Sequence, residues 1–267
     1  MIFDKNTIFT LWIKNTPTKL NIRCWRSWVR LGYQVTIYCD NVSEMHRQIP
    51  PALLQRLCIK RVSTLGGSFF SFDYNTDNFL QQTDLWRFMY LKKFGSTWLD
   101  SDMYLLKRLP NDNIIISSEF SLQSGARKSL CTFKPNIGCL RFPPNNKFIS
   151  DVVDKLTPTT KEDLVVTEAQ TSKMNKFIKM LKYKKYECLT KYIVEPEMFC
   201  PIPWSFTKEL YLKDKDSEIK DKHNVPFNNI NENTVAVHLW ENFTIKKHKI
   251  DLNNCHDNSI FETITNF

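Results

Sequence analysis

The first forty residues alternate strand, helix and strand with short breaks between them, and this order narrows the folds open to the chain. Residues 8–13 form an apolar run of strand length. After Pro17-Thr18 the pattern becomes helical over residues 19–31, Gly32 ends it, and Gln34–Cys39 is a second strand closing at Asp40. Strands joined through a helix with short links argue for a parallel sheet covered by helices. Residues 58–62 read as a third strand. Phe79–Phe94 reads as a strong helix, with Asp77 or Asn78 as cap and Gly95 as stop, and residues 97–99 follow as a short strand.

The second half is more mixed. Residues 113–118, 130–133, 137–142 and 234–239 look like strands, and 146–156 and 168–182 look like helices. Residues 208–233 are polar and charged and read as a long mobile connection. No stretch has the composition of a linker between independent domains, so one α/β domain over residues 1–267 is expected.

Bulk properties exclude several classes. No apolar run approaches the ~20 residues that span a bilayer, and residues 8–13 are too short for an export signal. A cytoplasmic location is the expectation, with peripheral membrane contact left open. Eight cysteines contain no CxxC pair, which favours reduced thiols over a disulfide framework. Cys255-His256 has no partners at zinc-ligand spacing. The chain carries 37 Lys and Arg against 28 Asp and Glu, concentrated over residues 173–191 and at Lys246, Lys247, His248 and Lys249. These clusters read as a solvated face or as attraction for an anionic partner. No helix-turn-helix, zinc-finger or RNA-recognition signature accompanies them, so no nucleic acid is expected as partner.

Chemistry concentrates between Gln81 and Asp102. Asp84 and Arg87 are three apart on the expected helix and share a face. Asp100 and Asp102 follow a strand two apart, so their carboxylates point the same way. Two like charges held together favour a shared cation, and oxygen ligands suit Mg²⁺ or Mn²⁺. An Asp-x-Asp alone also fits a solvated surface pair.

The segment resembles the DXD-containing sugar-transferase family, whose pattern is an Asp…Arg helix, a Gly-Gly turn and an aromatic-x-Asp-x-Asp strand end. Relatives include capsular and lipopolysaccharide glycosyltransferases, yeast-type mannosyltransferases, α-1,4-galactosyltransferases and glucosylating clostridial toxins. Further matching stretches follow in the family's order. They are Leu11-Trp12-Ile13 with Gly32-Tyr33-Gln34-Val35, Gly66-Gly67-Ser68, Thr167-Glu168-Ala169, Glu195-Pro196-Glu197-Met198-Phe199 and Ala236-Val237-His238-Leu239-Trp240. One departure is Gly95-Ser96 in place of Gly-Gly, and another is Leu164-Val165-Val166 where a Gly-Pro is usual.

The resemblance implies a GT-A-like, Rossmann-type nucleotide-sugar-binding fold with a mostly parallel central sheet and flanking helices. Residues 1–110 would be the nucleotide-binding half, and 111–267 the acceptor half with a C-terminal metal and phosphate motif. It implies a retaining glycosyltransferase using Mn²⁺ or Mg²⁺ and a nucleotide sugar, a UDP-sugar ahead of a GDP-sugar, with a glycan or protein as acceptor. Trp12 would stack on the base; Asp84 and Arg87 would bind the sugar and the ribose or phosphate groups. Asp100 and Asp102 would hold the diphosphate through the metal, with His238 as third ligand. Trp240 would meet the diphosphate through its indole N–H, with Asn242, Lys246 and Lys247 as further phosphate partners. Asn136 would touch the transferred sugar, and Glu168 would stand near the acceptor. The competing expectation is a catalytically decayed transferase fold acting as a binding module, suggested by Ser96.

Overall fold

The computed structural model describes residues 3–13, 16–65, 79–121, 132–157, 173–213 and 230–265. Strand β1 (Thr7–Trp12) lies at the middle of a six-stranded sheet, with Ile8 and Phe9 fully buried on opposite faces. It pairs in parallel with β2 (Gln34–Cys39), and β2 pairs in parallel with β3 (Leu57–Arg61). On its other side β1 runs parallel to β4 (Ser96–Leu99). The sheet is completed by β6 (Ile115–Ser121) and β7 (Thr132–Phe142) in the order β3-β2-β1-β4-β7-β6. Only β7 runs against the rest, being antiparallel to both neighbours. A separate antiparallel pair joins β5 (Met103–Leu105) to β8 (Ala236–His238). This is the mixed α/β architecture expected from the sequence.

Two cores flank the sheet. On one face the Lys19–Arg30 helix buries Leu20, Cys24, Trp25 and Trp28, a stripe at helical spacing, against Ile8, Val35 and Ile37. Trp28 Nε1 donates to Met103 O at 2.7 Å, tying the helix to β5. The helix starts at Thr18, whose backbone N–H and Oγ1 both donate to Asn21 Oδ1, at 2.7 and 2.8 Å. On the other face the Phe79–Phe94 helix packs Leu85, Trp86, Phe88 and Leu91 against Phe9, Trp98 and Leu140. The Lys147–Leu156 and Lys173–Leu181 helices extend that layer, and Phe148 and Phe177 meet edge-on at 5.4 Å.

Glycine matters most before β4. Gly95 has φ +70°, and a β-carbon there would lie 2.6 Å from Pro144. Ser96 follows at φ +90°, a backbone region disfavoured for a residue with a β-carbon. It holds that turn with its hydroxyl, which donates to Thr7 O at 2.8 Å. The serine in place of a second glycine thus adopts a positive φ and is held there by that bond.

Several expectations change. The strands placed at 130–133 and 137–142 are one strand, β7, which runs through Pro135; its register with β6 shifts between the Ile116–Leu140 and Ser118–Pro135 pairs, with the extra residues on β7. The connection expected over 208–233 begins as the Thr207–Leu212 helix; residues 214–229 lie outside the described residues. The cap at Asp77 or Asn78, Gly66-Gly67-Ser68 and the start of the helix expected from 168 also lie outside them. The seven described cysteines are all free thiols, as expected of a chain without a disulfide framework. No described helix is long and apolar enough to cross a membrane.

Candidate active site

Asp100 and Asp102 stand where β4 gives way to β5. The chain does not continue as one strand there, as their spacing suggested. It turns, with Met103 N–H donating to Asp100 O at 3.0 Å. The turn is held from beneath by Asp100 N–H on Gly138 O at 2.8 Å, and from the side by Ser101 Oγ against Thr10 Oγ1 at 3.0 Å. Both carboxylates nonetheless converge on one cavity of about 800 Å³ at the carboxyl ends of β1 and β4. The parallel strands of an open α/β sheet present their ligand sites at this edge.

His238 reaches the same place from β8. Its Cα pairs with Met103, and Leu239 N–H donates to Asp102 O at 2.9 Å. His238 Nε2 then lies 3.2 Å from Asp102 Oδ1. One ligand atom from each of Asp100, Asp102 and His238 falls within 4.8 Å of the others. Two carboxylates are oxygen donors of the kind Mn²⁺ or Mg²⁺ takes, and the imidazole is a donor that favours a first-row transition ion over Mg²⁺, so these residues fit a divalent cation.

The electrostatics fit it as well. Burial pushes the Asp100 carboxyl above its ordinary range; Arg87 opposes the rise and the Asp102 charge adds to it. Burial acts on Asp102 in the same sense, but His238 and the Glu241 backbone N–H outweigh it and hold that carboxyl low. Burial would depress His238, yet Asp102 holds its imidazole well above the ordinary value. An added cation would neutralise the excess negative charge at Asp100.

Arg87 organises the surroundings of Asp100. Its guanidinium lies 3.1 Å from Asp100 Oδ1 and 3.4 Å from Asp84 Oδ1, donates to Ile137 O at 2.5 Å, and packs over the Trp98 ring at 4.3 Å. Trp98 Nε1 donates to Asp100 Oδ1 at 2.7 Å. Arg87 Nε is buried and has no hydrogen-bond partner among the described residues. Trp12 also lines the cavity, half-buried and edge-on to Trp25 at 5.9 Å.

Three expected roles change or fall elsewhere. Trp240 lines the cavity, but its indole N–H is spent on Ile202 O at 2.7 Å and is not offered to a diphosphate. The ring instead stacks on His238 at 3.8 Å, from a backbone at φ +52°. Strain of this kind persists where the surroundings over-determine it, often at functional sites. Asn136 is only 3% exposed, and its amide is committed to Ser117, Gly138 and Cys200, so direct contact with a sugar is replaced by support from beneath. The Lys247 ammonium lies over the Trp204 ring at 5.6 Å and does not line the cavity. Glu168 and the Lys246 side chain lie outside what is described; Asn242 lines the cavity.

Glu241 was not singled out from sequence. Its backbone N–H donates to Asp102 Oδ2 at 2.9 Å, and its carboxylate accepts from Asn21 Nδ2 at 3.1 Å and Thr18 Oγ1 at 3.3 Å. Its only sequence signal is its place directly after Trp240.

Residues 24–121 match a family model described as a glycosyltransferase sugar-binding region containing a DXD motif. Residues 164–266 match one described as an α-1,4-glycosyltransferase conserved region. No curated protein matches the chain. Among solved structures, one described as PaToxG glycosyltransferase is 17% identical, over 71% of this chain and 72% of that one, with TM-score 0.48. Another, described only as a transferase, is 10% identical over 72% and 90%, with TM-score 0.45.

Proposed function

From the matches of residues 24–121 and 164–266 to two glycosyltransferase family models, we propose that the chain is a metal-dependent, retaining glycosyltransferase. It would transfer a sugar from a nucleotide-sugar donor, a UDP-sugar, to a glycan or protein acceptor. The observation that carries this reading is the convergence of Asp100, Asp102 and His238 on one cavity that Trp12 also lines. Asp100, Asp102 and His238 would hold Mn²⁺ or Mg²⁺. Such an ion supplies electrostatic stabilisation of the charge on a departing nucleoside diphosphate.

The protein's own part is binding and orientation. Trp12 offers a ring face for the base. Arg87 and Asp84 offer a guanidinium and a carboxylate to phosphate oxygens and sugar hydroxyls. Holding donor and acceptor in line replaces a bimolecular encounter with a positioned one. The family resemblance implies that Glu168, outside the described residues, would serve the acceptor.

Each carboxylate lining the cavity is engaged. Asp84 is paired with Arg87, Asp100 with Arg87 and Trp98, Asp102 with His238, and Glu241 with Thr18 and Asn21. That leaves no free nucleophile among the described residues and favours a same-face displacement. In it the acceptor hydroxyl bonds to the anomeric carbon as the carbon–oxygen bond to phosphate breaks. The acceptor's proton passes to the departing phosphate oxygen.

The test is nucleotide release from a panel of UDP- and GDP-sugars, with Mn²⁺ and with EDTA, for wild type and Asp102→Ala. Manganese-dependent release from one donor, abolished in the variant, is expected. Donor binding with no turnover under any condition would favour a binding module on a decayed site. A glycosyl-enzyme adduct on any carboxylate would overturn the same-face route.

A further inference from the structure

Behind the proposed metal ligands a buried hydrogen-bonded chain runs from Ser117 through Asn136 to Cys200 and ends on His238. Ser117 Oγ donates to Asn136 Oδ1, and Gly138 N–H donates to the same oxygen at 3.1 Å. A backbone N–H can only donate, so the amide oxygen must face Gly138 and the amide nitrogen must face the other way. That nitrogen, Asn136 Nδ2, lies 3.3 Å from Cys200 Sγ, which therefore accepts there. Cys200 Sγ also lies 3.9 Å from His238 Nδ1. Cys200 is fully buried and bridged to no other cysteine, with neither exposure nor a disulfide to account for a polar atom at this point.

The direction of the last contact matters. A histidine that binds a metal through Nε2 must carry its proton on Nδ1, and it needs an acceptor there to hold the ring in that tautomer. In His238, Nε2 faces Asp102 and Nδ1 faces the sulfur. Trp240 stacks on the ring at 3.8 Å and Gly138 lies beside its Cε1 edge. Among the described hydrogen bonds, the contact of Nδ1 is the Cys200 sulfur. The role that a carboxylate or carbonyl usually fills behind a ligating histidine falls to a thiol.

On the footing that Asp100, Asp102 and His238 hold the proposed ion, we infer that Cys200 is a positioning residue. It accepts the His238 Nδ1 proton, is itself oriented by Asn136, and turns Nε2 toward the metal. The same Asn136 amide steadies Gly138, whose carbonyl receives the Asp100 backbone N–H. One buried side chain therefore serves both the carboxylate and the imidazole.

The test is Mn²⁺ affinity, read by electron paramagnetic resonance of the free ion without donor or acceptor present. The proteins compared are wild type, Cys200→Ser and Cys200→Val, with Asp102→Ala as control. Loss of the supporting acceptor should weaken Mn²⁺ binding in Cys200→Val by about tenfold or more. Cys200→Ser, which keeps an acceptor, should stay close to wild type. Equal affinity in wild type and Cys200→Val, or an equal loss in both variants, would overturn the role of Cys200. No Mn²⁺ binding by wild type would instead overturn the metal centre itself, and the role of Cys200 with it. A readout that does not depend on how the variants fold is the ¹⁵N spectrum of His238 in Mg²⁺-loaded wild type. A proton on Nδ1 is expected, and an unprotonated Nδ1 would overturn the inference.

Discussion

Asp100 and Asp102 reach the cavity from a short turn between adjoining strands, whereas His238 and Trp240 reach it at the end of β8, near the other end of the chain. The first wall is held by contacts close in space to a regular sheet: Gly138 O beneath Asp100, Trp98 Nε1 on its carboxylate and Arg87 across from it. The second has no such sheet around it. It depends on a three-residue strand pairing, on a tryptophan forced to φ +52°, and on hydrogen bonds from Trp240 to Ile202 and from Glu241 to Asp102. Ligands delivered by a regular scaffold tolerate change in the rest of the chain. Ligands delivered by a strained turn depend on every contact that over-determines it.

Breaking the first wall should cost most. Arg87→Ala leaves the partly buried Asp100 beside Asp102 without its cation, and removing one partner of a fully buried pair typically costs about 3–5 kcal/mol. We expect a loss near the lower end of that range in urea unfolding, because Asp100 keeps the Trp98 hydrogen bond. Donor turnover should fall with it by roughly 10²-fold, the scale of losing one charge-stabilising donor. A stable and active Arg87→Ala protein would show that this wall is not held as described.

Trp240→Phe sharpens the comparison on the second wall. It keeps a ring to stack on His238 but orphans the Ile202 carbonyl, at a cost of about 1–3 kcal/mol. The unfolding midpoint should drop, and Mn²⁺ binding should weaken along with it. Lower stability with unchanged Mn²⁺ affinity would show that the indole N–H serves folding alone.

The turn before β4 offers a smaller contrast. Ser96→Ala retains a β-carbon at φ +90° and loses the hydrogen bond to Thr7, whereas Ser96→Gly loses the bond but relieves the backbone. The glycine variant should therefore be the more stable of the two by about 1 kcal/mol. Equal stability would mean that the turn carries no strain.

The smallest effect is expected far from both walls. Asp151 accepts from the Tyr186 hydroxyl and from Lys185, and these hold its carboxyl at about 2, below the ordinary 3.8. A depressed folded-state value gives stability that is full above the unfolded-state value and is lost as pH falls toward the folded one. Asp151→Asn should therefore flatten the acid limb of the stability curve between about pH 4 and pH 2 and leave donor turnover unchanged. A change in turnover would place that helix nearer the chemistry than its position suggests.

Much of the first wall was legible in the sequence. The helix at Phe79–Phe94 and the strands at Gln34–Cys39 and Ser96–Leu99 follow from periodicity and stop signals, and they bring Asp84, Arg87, Asp100 and Asp102 to one edge. Strand β5 was not foreseen, because three residues carry too little pattern. Strand β7 was divided in two because Pro135 and Gly138 interrupt its alternation, and the bulge that accommodates the proline is a property of the pairing. For Trp240 the sequence indicated the place but not the bond, since a donor's partner depends on what packs beside it.

The sequence by itself determined the parallel α/β framework, the carboxylate pair and the likeness to DXD-containing sugar transferases, because apolar periodicity, turn residues and short motifs act over a few neighbouring positions. Only the tertiary structure decided that Asn136 faces a buried cysteine, that Trp240 spends its indole N–H on Ile202, and that Glu241 braces Asp102. Each of those outcomes depends on a hydrogen-bonding group finding its partner across the fold, and nothing local in the chain encodes which partner that will be.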